Sequence, residues 1–298
     1  MEQQITILPS HKIDAIKWDN CVAAATHNNI FMYSWALNAL CDNWDGLIVN
    51  DYEAVLPLPW RKKWLLTYMH HVPLLAKISL MVKANIVVPA ETIATSLRNR
   101  FWFINFDIDN LYFEKWMVKK RCNYYLPLMA TYEKLYANFT KECHKNIKKS
   151  ITRGCALVQA ASIEKVVEIY DLAYGNFHEK QTNRNYTKII NFAKYALANG
   201  KASIWEVQND TKKETLFAAI LLEDKGRLYY WLAAPTAEGR QCRASYFFIN
   251  EIIKMNANSD KILDFEGSDI KDVAHFYQQF APKTEWYFQI KKINFLMI

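Results

Sequence analysis

The sequence predicts a mixed α/β fold in which helices cover a sheet of parallel and antiparallel strands. Three observations carry this expectation. Apolar residues switch between helical and strand periodicity along the whole chain. Three strand-like runs, ASIWEVQ, TLFAAILLE and RLYYWLAA, follow one another across short turns and are succeeded by helix, strand, helix and strand. The two halves of the chain also show the same order of elements.

In the first half, ITIL reads as a short strand, and Ser10 is placed to cap a helix through KIDAIKWDNCVAAA. WALNALC reads as a second helix. GLIVN and YEAVLPLPW are strands around an Asn50-Asp51 turn. The helix AETIATSLRNR leads into the strand FWFINF, and KRCNYYLPL is a late strand. The second half is punctuated more clearly. Thr140 caps a helix with Glu142 in its first turn, and Gly154 ends it. A helix from Ser162 carries apolar residues to Gly175, and another, TKIINFAKYALANG, stops at Asn199-Gly200. After the three-strand meander come the helix ASYFFINEIIKMNAN, the strand KILDF, a helix from Asp269 to Phe280, and a last strand WYFQIKKINF. Phe103 aligns with Leu263, each just after a helix in an apolar β-forming run. The expectation is a tandem pair of domains, residues 1–135 and 136–298, packed around a cleft. A meander followed by a helical crossover gives a sheet whose central strands splay, and a ligand can reach backbone N–H groups there.

Composition bounds the function. With 298 residues and a hydrophobic fraction of 51%, either half can bury a core. The six cysteines are scattered, with no CxxC and no zinc-like spacing, so no metal site is expected. The start MEQQITILPSHK lacks the apolar region of a signal peptide. The most apolar stretch, VPLLAKISLMVKANIVV, is broken by Lys77 and Lys83, so no membrane span is expected. A reduced, cytoplasmic protein is the resulting expectation. GxGxxG, GxxxxGK[ST], GxSxG and HExxH are all absent, which disfavours simple dehydrogenases, P-loop enzymes, hydrolases and metalloproteases. The net charge of +7 suits a phosphate-bearing partner without choosing among nucleotides, coenzyme A, tRNA and lipid headgroups.

Three stretches carry a family likeness: FTKECHKNIKKSITRGCALV, the long run from AAILLEDKGRLYYW to KILDFEGS, and HFYQQFAPKTEWYFQI. Together they resemble the GNAT N-acyltransferase fold. The doubled arrangement is similar to that of the Fem-type peptidyltransferases and their acetyltransferase-like relatives. The resemblance implies two tandem GNAT-like domains. It further implies acyl transfer from an activated small-molecule donor to an amine acceptor, with acyl-CoA as co-substrate and no tightly bound cofactor. Charged tRNA is the alternative donor, and a non-catalytic binding module is a further reading. Two stretches depart from the pattern. The loop that grips pyrophosphate in GNAT enzymes is glycine-rich, whereas TAEGRQCRAS holds only Gly239, with Arg240 and Arg243 able to bind phosphate instead. Where Fem-type enzymes often read Phe-Lys on the closing helix, this chain reads Phe276-Tyr277.

The candidate residues each carry a competing reading. Lys141, Lys145 and Lys148 share a helix face that Lys149 and Arg153 widen, and it either holds phosphate or is a solvated surface. Asp264 and Glu266 stand where a strand ends, and only one of them is expected to face a cleft. Glu266, beside Gly267, is the expected general base for amine attack, or else a helix cap or a partner of Lys271. Tyr230 or Tyr277 would assist the leaving group, or simply fill the core. In the first half, PLPWRKKW sets Arg61, Lys62 and Lys63 between tryptophans near His70 and His71. This basic–aromatic cluster either grips a ring and its phosphate or is a solvated strand end.

Overall fold

In a computed structural model of the chain, residues 3–72, 75–160, 162–178, 186–267 and 269–293 are described. They form two compact units, Met1–Arg121 with Trp286–Ile298, and Cys122–Glu285.

Unit 1 runs β1 (Ile5–Pro9), α1 (Ala15–Ala24), α2 (Ser34–Leu40), β2 (Trp44–Val49), β3 (Ala54–Lys63), β4 (Leu66–His70), β5 (Met81–Val82), α3 (Ala90–Arg100) and β6 (Phe103–Ile108). Its sheet is antiparallel from β1 through β2 and β3 to β4, with β5 also on β3. β4 and β6 then pair in parallel. Trp18, Leu37, Leu47, Leu56, Ile93 and Leu97 are fully buried at its centre, and the Trp18 indole donates to the Met32 carbonyl at 2.8 Å. Ser10 opens only a short 3₁₀ turn, Ser10–Lys12. The cap of α1 is Asp14, whose carboxylate accepts from the Ile16 and Lys17 amides at 3.1 Å. Asp14 wins because it sits directly before the first helical residue, where a side-chain oxygen meets the orphan N–H groups. β4 is an element that the sequence reading omits. The turn joining it to β3 has no Gly, Asn or Asp; Trp64 supplies the left-handed residue instead, at φ 59°.

Unit 2 contains the later part of β7 (Met117–Pro127), then α4 (Tyr132–Ala137), α5 (Lys141–Thr152), β8 (Cys155–Gln159), α6 (Ile163–His178), α7 (Tyr186–Ala198), β9 (Ala202–Asn209), β10 (Thr215–Asp224), β11 (Arg227–Pro235), α8 (Ala237–Cys242), α9 (Ala244–Asn256), β12 (Ile262–Asp264), α10 (Lys271–Gln278) and the start of β13 (Lys283–Ile293). β8, β9, β10 and β11 form an antiparallel meander, β12 adds in parallel to β11, and β7 closes antiparallel on β12. Thr140 caps α5 by accepting from the Cys143 amide at 3.2 Å, and Gly154 and Gly200 take the left-handed conformation at the ends of α5 and α7. α6 passes through Gly175 to His178, and α10 is shorter than expected, starting at Lys271.

The last strand does not stay with the half that precedes it. Phe288–Ile293 of β13 pairs antiparallel with β6 of unit 1. The division by contacts therefore falls after Arg121 in β7 and after Glu285 in β13. The expected boundary between residues 135 and 136 lies instead inside α4. Strand pattern identifies β13 as a strand but says nothing about which neighbour it chooses.

Candidate active site

The site begins with a mismatch in strand length. β12 pairs with β11 only from Arg227 to Tyr229 and ends at Asp264, whereas β11 continues to Pro235 with β10 on its other edge. The ladder between β10 and β11 also slips. Leu221 faces Tyr230 and Ile220 faces Leu232, so Trp231 is an extra bulged residue. A bulge resets side-chain alternation. Tyr230 and Ala233, an odd number of residues apart, accordingly line the same cleft. Trp231 meets Phe192 of α7 edge-on at 4.8 Å between ring centroids.

That cleft measures about 470 Å³ and lies within unit 2. Tyr230 and Tyr277 stand edge to face in its lining, 6.1 Å between centroids. Val273, Phe276 and Tyr277 reach it from α10, at the i, i+3, i+4 spacing of one helix face. Burial pushes the Tyr230 hydroxyl well above its ordinary pKa, with the neighbouring Tyr277 adding to the rise. Burial does the same to Tyr277, reinforced by Tyr174, Tyr170 and the Glu266 and Asp264 carboxylates. Both hydroxyls therefore stay protonated and neutral across the physiological range.

The two carboxylates at the end of β12 separate by role. Asp264 is fully buried. It accepts from Arg227 Nε at 2.7 Å, from Asn123 Nδ2 at 3.0 Å and from the Glu266 backbone N–H at 2.8 Å. Arg227 also donates to Glu285 at 2.7 Å. This ion-paired cluster fixes the strand end. Glu266 follows it in the left-handed conformation, φ 59°, ahead of Gly267 at φ 75°. The chain thus turns sharply off the strand with Glu266 half-buried. Its charge acts on Tyr277, although Glu266 does not itself line the cleft.

At the other end, α8 and α9 meet at Arg243, which is left-handed at φ 62° and gives α9 no side-chain cap. The N–H groups at this end favour an anion. Close approach depends on Gly239. A Cβ there would stand 1.7 Å from the Leu216 carbonyl oxygen of β10. Arg240 and Arg243 line both the cleft and an adjoining basic pocket of about 520 Å³, to which Lys149 and Arg153 of α5 contribute. Arg240 also donates to the Ala173 carbonyl at 3.2 Å and lies 5.5 Å from the Tyr174 ring centroid.

The fold thus gathers Tyr230, Tyr277, Arg240, Arg243 and Lys149 at one locality. Lys145 and Lys148 are exposed on α5 and do not line the basic pocket; the face that does is Lys149 and Arg153, one turn apart. Sequence reasoning passed over Tyr174, Tyr246 and Asp272, which also line the cleft. Asp272 carried a signal, since it stands on the same short helix as Tyr277, but Tyr174 comes from α6, distant in sequence. Ser268 lies outside the described residues. Among the described residues no cluster of His, Cys, Asp and Glu is arranged to hold a metal, and no helix is long and apolar enough to cross a membrane.

No family model and no curated protein matches the sequence. Solved structures do match in three dimensions. The chain is similar to FemX, with 12% identity over 97% of both chains and a TM-score of 0.63. It is also similar to L-PGS from Bacillus licheniformis, with 11% identity over 95% of this chain and 93% of that one and a TM-score of 0.59. A third match is a tandem GNAT protein from the clavulanic acid biosynthesis pathway, with 9% identity over 97% and 98% and a TM-score of 0.53. At such identities the likeness speaks for architecture, and the architecture is a tandem GNAT-like fold of the Fem type.

Proposed function

We propose that unit 2 transfers an acyl group from an activated, phosphate-bearing donor to an amine. One observation carries the reading. A single cleft joins two hydroxyls held neutral by burial, Tyr230 and Tyr277, to a cationic helix start at Arg240 and Arg243. The arginines and the α9 N-terminus take the donor's phosphates, and the diverging edge of β11 offers backbone N–H groups to the donor carbonyl. The amine nitrogen forms the new bond to the carbonyl carbon as the bond to the leaving sulfur or oxygen breaks. Glu266 takes the amine proton through an intervening water, and Tyr277 gives its proton to the leaving group. Acyl-CoA is the donor that this chemistry fits most directly.

The test is a thermal-shift and turnover screen of the intact chain with coenzyme A, acyl-CoAs of increasing length and amine acceptors. Acyl-CoA is expected to raise the melting temperature, and Arg240→Ser with Arg243→Ser to weaken its binding about tenfold or more. Tyr277→Phe and Glu266→Gln are each expected to lower turnover about a hundredfold with folding intact. Full turnover by Glu266→Gln together with loss in Asp272→Asn moves the base to Asp272. Binding without turnover means a binding module. The extended basic pocket formed with Lys149 and Arg153 favours one second reading, an aminoacyl-tRNA donor. That reading requires tRNA to stabilise the chain with a steep salt dependence.

A further inference from the structure

The hairpin joining β3 to β4 has no part in the cleft of unit 2. Its register ends with Lys63 opposite Leu66, so Trp64 and Leu65 alone form the turn. Both are 89% exposed. An indole and an isobutyl group held in water at the apex of a hairpin are unfavourable for the isolated protein, and Trp64 is also left-handed at φ 59°. Arg61, Lys62 and Lys63 form an exposed collar just behind them. Asp42 pairs with Arg61 at 2.8 Å, leaving the two lysines as the collar's excess charge. A further aromatic flanks the collar. Trp102 is 40% exposed, and its backbone N–H donates to the Thr67 carbonyl at 3.0 Å.

The root of the hairpin is rigid. The Trp60 indole donates to Asp45 at 2.8 Å, and Arg100 bonds the other oxygen of that buried carboxylate at 2.7 Å. The apex is therefore presented from a fixed base. Two apolar residues are far too small an area for a stable protein interface, which buries about 800 Å² on each partner. A bilayer surface needs no matching contour. It takes a tryptophan and a leucine into the headgroup boundary while lysines remain beside anionic headgroups.

We infer that the Trp64–Leu65 hairpin tip docks unit 1 onto an anionic lipid surface. The full chain is mixed with vesicles of phosphatidylcholine containing phosphatidylglycerol, or of phosphatidylcholine alone, and the bound fraction is measured by sedimentation. Binding is expected to the anionic vesicles, at least about tenfold weaker to neutral ones, and falling as salt rises from about 0.1 M to about 0.5 M. Trp64→Ser with Leu65→Ser, and separately Lys62→Glu with Lys63→Glu, are each expected to lower binding at least tenfold while thermal melts stay unchanged. Quenching of tryptophan emission by brominated acyl chains is expected in the native chain and lost in Trp64→Phe. No binding by the native chain, equal binding to both vesicle types, or wild-type binding by the apex double variant would overturn the inference. So would a native dimer in sedimentation velocity that the apex double variant dissolves, since the tip would then belong to a second copy.

Discussion

Asp264 and Glu266 stand two residues apart with the same charge, yet the fold assigns them different tasks. Asp264 is consumed by Arg227 and Asn123, and it spends its remaining hydrogen-bonding capacity on the amide that holds Glu266 in place. Alternation alone would put both carboxylates on one face; they separate because β12 ends at Asp264 and Glu266 turns off it in the left-handed conformation. The identity of the neutralising cation was not legible, because Arg227 lies on another strand and reaches Asp264 only through the parallel pairing. Gly239 shows the same limit. The sequence marks a lone glycine just ahead of two arginines, but its necessity comes from the Leu216 carbonyl across the α8–β10 contact. Gly239→Ala must push that backbone aside and is expected to cost about 3 kcal/mol, the upper range for overpacking. Urea unfolding with an unchanged slope measures it.

The start and end of several helices were the most readable features, because a cap or a left-handed stop is chemistry written within four residues. Thr140, Gly154 and Gly200 all sit where that chemistry puts them. Gly175 and Asp269 do not hold, since α6 runs on to His178 and α10 starts at Lys271; in α1, Ser10 and Asp14 both fit a cap by composition and only the start of the helix decides between them. Asp14→Ala is expected to lower stability by about 1 kcal/mol, whereas Ser10→Ala stays within about 0.5 kcal/mol. Equal effects would mean that α1 begins earlier than Ala15. The β3–β4 hairpin escaped the sequence reading for the opposite reason. Its turn breaks the Asn-Gly rule, and a tryptophan occupies the position where a glycine would have announced it.

Across the whole molecule, doubled element order and the mixed sheet were legible from periodicity; the cleft was expected where two domains pack together, whereas the one described lies within unit 2, where β11 outruns β12. The bulge at Trp231 was not legible, since one skipped residue leaves no mark on composition. The cysteines offer a global check on packing. Cys21, Cys41, Cys143, Cys155 and Cys242 are buried and Cys122 is half-buried. Burial pushes the Cys143 and Cys155 thiols to about 12, so they stay protonated at pH 8. A thiol-reactive dye is expected to modify Cys122 first in the native chain and the other five only on unfolding. Rapid modification of all six would contradict the packing. The return of β13 to β6 also bears on how the chain is made. Unit 1 contributes β6 by residue 108, but the strand lying along it arrives only from Trp286 onward, roughly 180 residues later. At about 5–20 residues per second that is on the order of ten to thirty seconds of translation with an open edge. During that interval the nascent first unit offers unsatisfied backbone groups to any passing strand, so its safe maturation calls on a chaperone at the ribosome or on its own later half arriving in time.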